Sequence, residues 1–465
     1  MRNLQNEDRN PVDGAAGIPL AGPEIGLSAH RPPDTMPQPR LKILLSAFAC
    51  SPYRGSEAAV GWQYAVHLAR HHDVTVLCGD VERDKPTAKE HARFQQVSSL
   101  PPGLMIVYVE PSRATQICER IHRLPLMWWM FYVAYNLWQR SALREAQQLV
   151  RQNRPDVVHH LNMIGFREPG YLYTLGIPFV LGPLGGANNT PRGYGSACGR
   201  ENRLTGSLRT FANEIQKRIA GRARKAARTA RHIWAATPRE RQMVTEIWGC
   251  MAELFPETGA NPQAEFTPRA PFDDAGRLRV LWSGSHCQRK CLPILIDAVA
   301  THELSSRVAV TVLGEGSETA AWQARAVAKG VAESFVWKGR VTHEEAVRTL
   351  ASNDVCVLTS TREGTPHVVL EALGAGVPVI CHDACGMGLV VDDSCGIKVP
   401  LAGFHSSVLG FRQALFQLIE NPDLIRGKSA SAHARATHFS WAAKAAAISE
   451  RYRQVVTDAT QAADR

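Results

Sequence analysis

The stretch TSTREGTPHVVLEALGAGVPVICHD, Thr359–Asp383, decides the reading of this chain, because it places two glutamates, Glu363 and Glu371, eight positions apart across a strand-to-helix junction. The preceding run Asp354–Thr359 (DVCVLT) is short, apolar and β-branched, the pattern of a strand buried in a parallel sheet. Arg362-Glu363-Gly364-Thr365-Pro366 interrupts it with turn chemistry, and Val368–Ala375 then carries the pattern of a helix that starts just after a proline. Val377–Ile380 follows as the next strand. The β-turn-α-β unit so formed puts Glu363 at the carboxyl end of a strand, where open α/β sheets bind ligands, and Glu371 inside the following helix. Backbone N–H groups around Gly364, Thr365 and His367 can meet a phosphate at the positive helix end, whereas Pro366 has no donor. A carboxylate one or two helical turns further on, Glu371, suits the paired hydroxyls of a ribose.

The run resembles the signature of the family-4 retaining glycosyltransferases, matched here by Glu363, Gly364, Leu370, Glu371, Ala372, Gly376, Pro378, Val379 and Ile380. The resemblance implies the α/β GT-B fold, two Rossmann-like domains facing a central cleft. It implies that Glu363 contacts the donor sugar and Glu371 the nucleotide ribose. A second match is Gly284-Ser285-His286-Cys287-Gln288-Arg289-Lys290, similar to the family's turn whose cations grip the donor pyrophosphate. Lys290 falls on the family's lysine, and Ser285 stands where an arginine is common, so the second cation must come from Arg289. The chemistry asks for cations there because negative charge grows on the leaving nucleoside diphosphate as the glycosidic bond breaks. The implied donor set is Gly284, Arg289, Lys290, Gly339, Gly364, Thr365, Pro366, His367 and Glu371, with the backbone beside Trp337–Arg340 holding the base.

Earlier in the chain, Leu41–Ser46 and Asp73–Leu77 read as strands flanking a helix over Ala58–Arg70. The turn between them, Pro52 to Glu57, resembles the family's glycine-rich diphosphate loop, with Gly55 kept and Ser56 in place of the second glycine. Pro155–His160 reads as a strand ending in two histidines. In the family this strand carries a histidine that approaches the donor sugar, so His159 or His160 is the implied catalytic imidazole. Gly176–Ala187 resembles a segment that frames the acceptor side of the cleft.

At 465 residues, 45% of them hydrophobic, the chain can fill two cores. The expected division is a disordered leader over 1–40, an acceptor domain over 41–255, a linker over 256–276, a donor domain over 277–437, and a C-terminal helix over 438–465 that crosses back to the first domain. A net charge of +10 points to an acidic partner: a nucleotide sugar, a phospholipid surface or a nucleic acid. Nucleic acid is the weakest of these, since no reading module accompanies the charge. Eleven scattered cysteines without a framework spacing read as reduced thiols with no zinc site, hence a cytoplasmic protein. The aromatic run Leu124–Trp138, including Trp128 and Trp129, is too short for the roughly twenty residues of a spanning helix and reads as a core helix or an interfacial segment. The basic run Arg200–Arg231 reads as one long helix, either a solvated face or a contact with anionic lipid.

The sequence expectation is therefore a metal-independent, retaining transferase without a cofactor, taking a nucleotide-diphosphate sugar as donor. The expected acceptor is a glycan or polyprenyl-linked oligosaccharide, as in exopolysaccharide synthesis, with possible peripheral contact with the inner membrane face. A nucleotide-sugar epimerase and a non-catalytic nucleotide-sugar-binding protein are the competing readings.

Overall fold

The computed structural model describes residues 39–79, 87–124, 127, 129–191, 193–194, 203–263, 266 and 270–463. The expected leader falls outside them up to residue 38; Arg40 is already held, pairing with Asp73 at 2.8 Å and donating to the Ala69 carbonyl at 2.9 Å.

Two parallel sheets form the molecule. The first contains β1 (Lys42–Ala47), β2 (Asp73–Gly79), β3 (Leu104–Val109), β4 (Val157–Asn162), β5 (Phe179–Leu184), β6 (His232–Ala235) and β7 (Glu253–Leu254), in the order β3-β2-β1-β4-β5-β6-β7. The second contains β8 (Leu278–Ser283), β9 (Val308–Leu313), β10 (Phe335–Gly339), β11 (Val355–Leu358), β12 (Val379–His382) and β13 (Gly396–Val399), in the order β10-β9-β8-β11-β12-β13. The central strands are near-continuous apolar runs, VCVL in β11 and VICH in β12, because helices cover both faces of each sheet and leave no wet side. Strand order reverses between β1 and β4 and again between β8 and β11. A crevice opens at the carboxyl edge of each such reversal.

The signature unit runs as β11, a turn, the helix His367–Gly374, and β12. Pro366 caps that helix with φ −65° and an extended ψ of 130°. The helix stops at Gly376, whose φ of +66° and a would-be Cβ only 2.0 Å from the Phe266 ring explain why no larger residue closes this turn.

A helix over Trp441–Ala463 lies against the first sheet. Its Tyr452 hydroxyl meets His159 Nδ1 at 2.6 Å, and Arg451 pairs with Glu253 at 2.7 Å. One buried cluster accordingly runs from Ile43 and Val76 through Trp441 and Tyr452 to Leu358 and Val379, so apolar packing joins the two lobes.

Three expectations change. The basic run is two helices, Arg203–Ile219 and Gly221–Thr229, since Ala220 leaves helical geometry with ψ 64° and Gly221 has little helical preference. Of the aromatic run, Ala134, Tyr135 and Trp138 are core, but Trp129, Tyr132 and Val133 are exposed; Trp128 lies outside the described residues. Nine described cysteines are free thiols, whereas Cys291 is disulfide-bonded, which departs from the expectation of reduced thiols throughout.

Candidate active site

The second crevice is assembled by stapling the turn after β8 to the turn after β11. Thr359 Oγ donates to the Lys290 carbonyl at 2.8 Å and accepts from Trp282 Nε1 at 3.0 Å. The Thr361 N–H donates to the Arg289 carbonyl at 2.8 Å. These bonds fix the short helical turn Gln288–Lys290 so that both cations reach one carboxylate oxygen. Arg289 Nη1 lies 2.5 Å and Lys290 Nζ 2.8 Å from Glu363 Oε1. Gly284 makes room for this, since a Cβ there would sit 3.3 Å from the Lys290 stem. The Glu363 side chain is only 10% exposed. Burial opposes its ionisation, but the Lys290 and Arg289 charges outweigh burial and hold the carboxyl below its ordinary value. Arg289 thus stands beside Lys290 at Glu363.

Glu371 projects from the first turns of the signature helix, with His343 Nδ1 3.8 Å from its carboxylate. Burial raises its pKa, against the pull of His343. Glu371 and Lys290 both act electrostatically on the Cys356 thiol inside β11, so they lie around one strand-turn-helix corner. His367 hydrogen-bonds Thr258 at 3.1 Å and is held neutral, with burial lowering it to about 4. Gly339 ends β10 with φ +67° beside the Glu315 carboxylate, which accepts the Arg340 N–H at 3.4 Å.

The linker enters the site as a participant. Glu257, buried, accepts the Thr365 N–H at 2.6 Å, and Gly364 leaves the space its carboxylate occupies, a Cβ there falling 2.1 Å from Oε1. The amide assigned to phosphate from the sequence is therefore bonded to a protein carboxylate. From the first domain, the Asn188 side chain donates to the Glu363 carbonyl at 3.3 Å and to Thr237 Oγ at 3.1 Å. Glu240 accepts the Ala187 N–H at 2.7 Å, and burial lifts its carboxyl to about 7.

At the first crevice Glu57 accepts the Ile164 N–H at 3.2 Å, and burial lifts it to about 7. Ser56 adopts φ +56°, ψ −132°, a backbone a glycine would take without strain. The loop follows a glycine's path at a serine. A Cβ on Gly55 would meet nothing within 4 Å.

Of the two expected histidines, His159 is engaged inside the core. His159 is fully buried, with Nε2 2.6 Å from the Gly182 carbonyl and Nδ1 on Tyr452, and burial lowers it to about 3. Both nitrogens are spent inside the core, so His159 cannot exchange a proton with a sugar. His160 is buried beside Gly170 and lowered to about 4. The strand's last residue is Asn162, which bonds the Ala49 backbone at 3.1 and 2.7 Å and the Glu57 carbonyl at 3.0 Å. Among the described residues, no group of three or more His, Cys, Asp or Glu side chains is arranged to hold a metal ion.

Residues 277–421 match the family Glycosyl transferases group 1. Over 266 residues the chain is 24% identical to the 2-deoxystreptamine N-acetyl-D-glucosaminyltransferase of Streptomyces fradiae, covering 54% of this chain and 60% of that protein's length. Sucrose-phosphate synthase from Thermosynechococcus elongatus superposes with a TM-score of 0.61 at 14% identity, covering 90% of this chain and 100% of that one. Anabaena HepE in complex with UDP gives 0.56 at 13% identity, with 89% and 100% covered. The lipopolysaccharide outer core galactosyltransferase WaaB, apo form, gives 0.56 at 14%, with 88% and 100% covered. The fold is GT-B.

Proposed function

We propose that the chain is a retaining, family-4 type glycosyltransferase that moves a sugar from a nucleotide-diphosphate donor to a glycan or polyprenyl-linked oligosaccharide in bacterial surface polysaccharide synthesis. The observation that carries this reading is the convergence of Lys290 and Arg289 on Glu363 at the carboxyl edge of the β8–β11 reversal. Two cations preset at a crevice against one buried counter-charge leave a net positive charge toward an incoming anion, as a diphosphate site requires. The match of residues 277–421 to group 1 transferases supports it.

In this account Lys290 and Arg289 take the charge that builds on the departing diphosphate, without a divalent metal. Glu371 accepts the ribose hydroxyls, and Glu363 positions the cations and a donor-sugar hydroxyl. Neither His159 nor His160 is given a proton to move. The departing phosphate oxygen instead takes the acceptor hydroxyl proton on the same face of the sugar, which preserves the anomeric configuration. Incubating the protein with a nucleotide-sugar panel and a lipid-linked acceptor in the presence of EDTA, then reading the product anomer by NMR, tests this. A product with the donor's configuration is expected. An inverted product, a sugar trapped covalently on the protein, or donor epimerised without acceptor would refute it.

A further inference from the structure

The helix Arg203–Ile219 turns its polar side inward and its apolar side outward. Lys217 is 1% exposed and pairs with Glu214 at 2.5 Å, and buried Asn213 bonds Asn189 at 2.7 Å. The outward side carries Leu208, Phe211, Ile215 and Ile219, exposed by 67%, 64%, 40% and 71%. Positions 208, 211, 215 and 219 recur at the helical period and form one stripe along the helix. A contiguous stripe of large apolar side chains facing water marks a contact surface, because single exposed residues are ordinary and aligned ones are not.

A second apolar patch lies beside this stripe. Arg167, in the loop after β4, donates to Gln216 of the helix at 2.6 Å and also bonds Asn213, while Tyr132 acts electrostatically on the same Arg167. Its neighbour Glu168 accepts from Asn136 at 2.9 Å and pairs with Arg222. These bonds knit the start of the helix Met130–Gln152, with exposed Trp129, Tyr132 and Val133, to the helix bearing the stripe. Exposed cations follow in the sequence: Arg218 on the same helix, and Lys225, Arg228 and Arg231 on and just beyond the next.

We propose that this surface docks the protein on an anionic phospholipid membrane, with the stripe and the aromatic patch in the acyl boundary and the cations among the headgroups. Apolar side chains in line with flanking basic ones are what a helix lying in a bilayer interface requires. A second copy of the chain would bring the same cations against themselves, which disfavours self-association. Among the described residues no helix is long and apolar enough to cross a membrane, so the contact is a surface one. The loop carrying Arg167 leaves the carboxyl end of β4, so docking sets the cleft next to the bilayer.

Flotation of the full chain with phosphatidylglycerol-containing vesicles, and with phosphatidylcholine vesicles alone, tests the proposal. The protein should float with the anionic vesicles, less so at high salt. Phe211→Asp combined with Ile219→Asp should lower the bound fraction about tenfold or more, leaving thermal unfolding and nucleotide binding as in the wild type. Lys225→Glu with Arg228→Glu should weaken only the anionic contact. A wild-type protein that stays in the buffer with both vesicles, or an aspartate variant that floats as well as the wild type, overturns the proposal. So does a wild-type dimer in sedimentation that the aspartate variant dissociates, which would assign the stripe to a second copy.

Discussion

The N–H of Thr365 donates a 2.6 Å hydrogen bond to the carboxylate of Glu257, 108 positions earlier in the chain. The start of the signature helix is thereby closed by a protein anion carried on the linker. Glu257 is buried, and burial raises its pKa. Its second oxygen has no hydrogen-bond partner. Lys444 of the C-terminal helix is close enough to oppose that rise. Linker, signature turn and final helix therefore meet at one buried carboxylate.

Glu257→Ala leaves the Thr365 amide unpaired, and leaving a buried donor unmet costs about 1–3 kcal/mol. Chemical denaturation should show a lower midpoint with an unchanged slope. Glu257→Gln, which retains an acceptor oxygen, should recover most of the loss.

Lys290→Met removes one of the two cations that converge on Glu363. Loss of one preorganised charge contact to a leaving group costs roughly 100-fold in kcat. Steady-state kinetics should show that fall with the fold intact by circular dichroism. A variant of unchanged kcat would place the diphosphate elsewhere.

Glu240 has a folded pKa of about 7, raised by burial from 4.5. A raised carboxyl pKa means that the stabilising protonated form is fully present below the unfolded value and is lost as pH climbs through the folded one. Glu240→Gln removes that titration while keeping an oxygen for the Ala187 N–H. Its melting temperature should match the wild type near pH 4.5 and exceed it at pH 8, by a margin on the order of 3 kcal/mol at most. Equal pH profiles for the two proteins would refute the assignment.

Ser56 occupies φ +56° at the head of the helix Glu57–Ala69 without a capping bond from its side chain. Strain of this kind is worth about 1–3 kcal/mol, partly offset by the greater chain freedom of glycine when unfolded. Ser56→Gly should raise the melting temperature by a few degrees, on the order of 1 kcal/mol. Ser56→Ala, which keeps the strain, should not.

The parts of the site that were legible are those written in contiguous residues. The DVCVLT run, Pro366 and Gly376 delimit β11, the signature helix and β12 to within about two residues of where they stand, because each boundary has a local steric cause. The turn Gly284–Lys290 drew attention to Lys290 and Arg289, and both meet Glu363. The role of Glu257 was not, since it lies in a Pro- and Gly-rich segment, and its partner Thr365 is defined only by tertiary approach. His159 misled for the same reason: a histidine at a strand end looks outward in sequence, and nothing local reveals that Tyr452, 293 positions on, seals it. The helix Arg203–Ile219 was read by its cations alone, which hid the apolar stripe between them. Burial of Lys217 shows that counting charge does not tell which side of a helix faces water.

The central claim is that the corner formed by Lys290, Glu363 and Glu371 receives a nucleoside-diphosphate sugar, and thermal shift across a donor panel measures it directly, since a ligand held by the native state raises its melting temperature by mass action. The account predicts that at least one nucleotide sugar stabilises the wild-type protein, that Glu371→Ala abolishes the shift, and that Phe211→Asp leaves it intact. A shift that survives in both Glu371→Ala and Lys290→Met, or no shift with any nucleotide sugar, would contradict it.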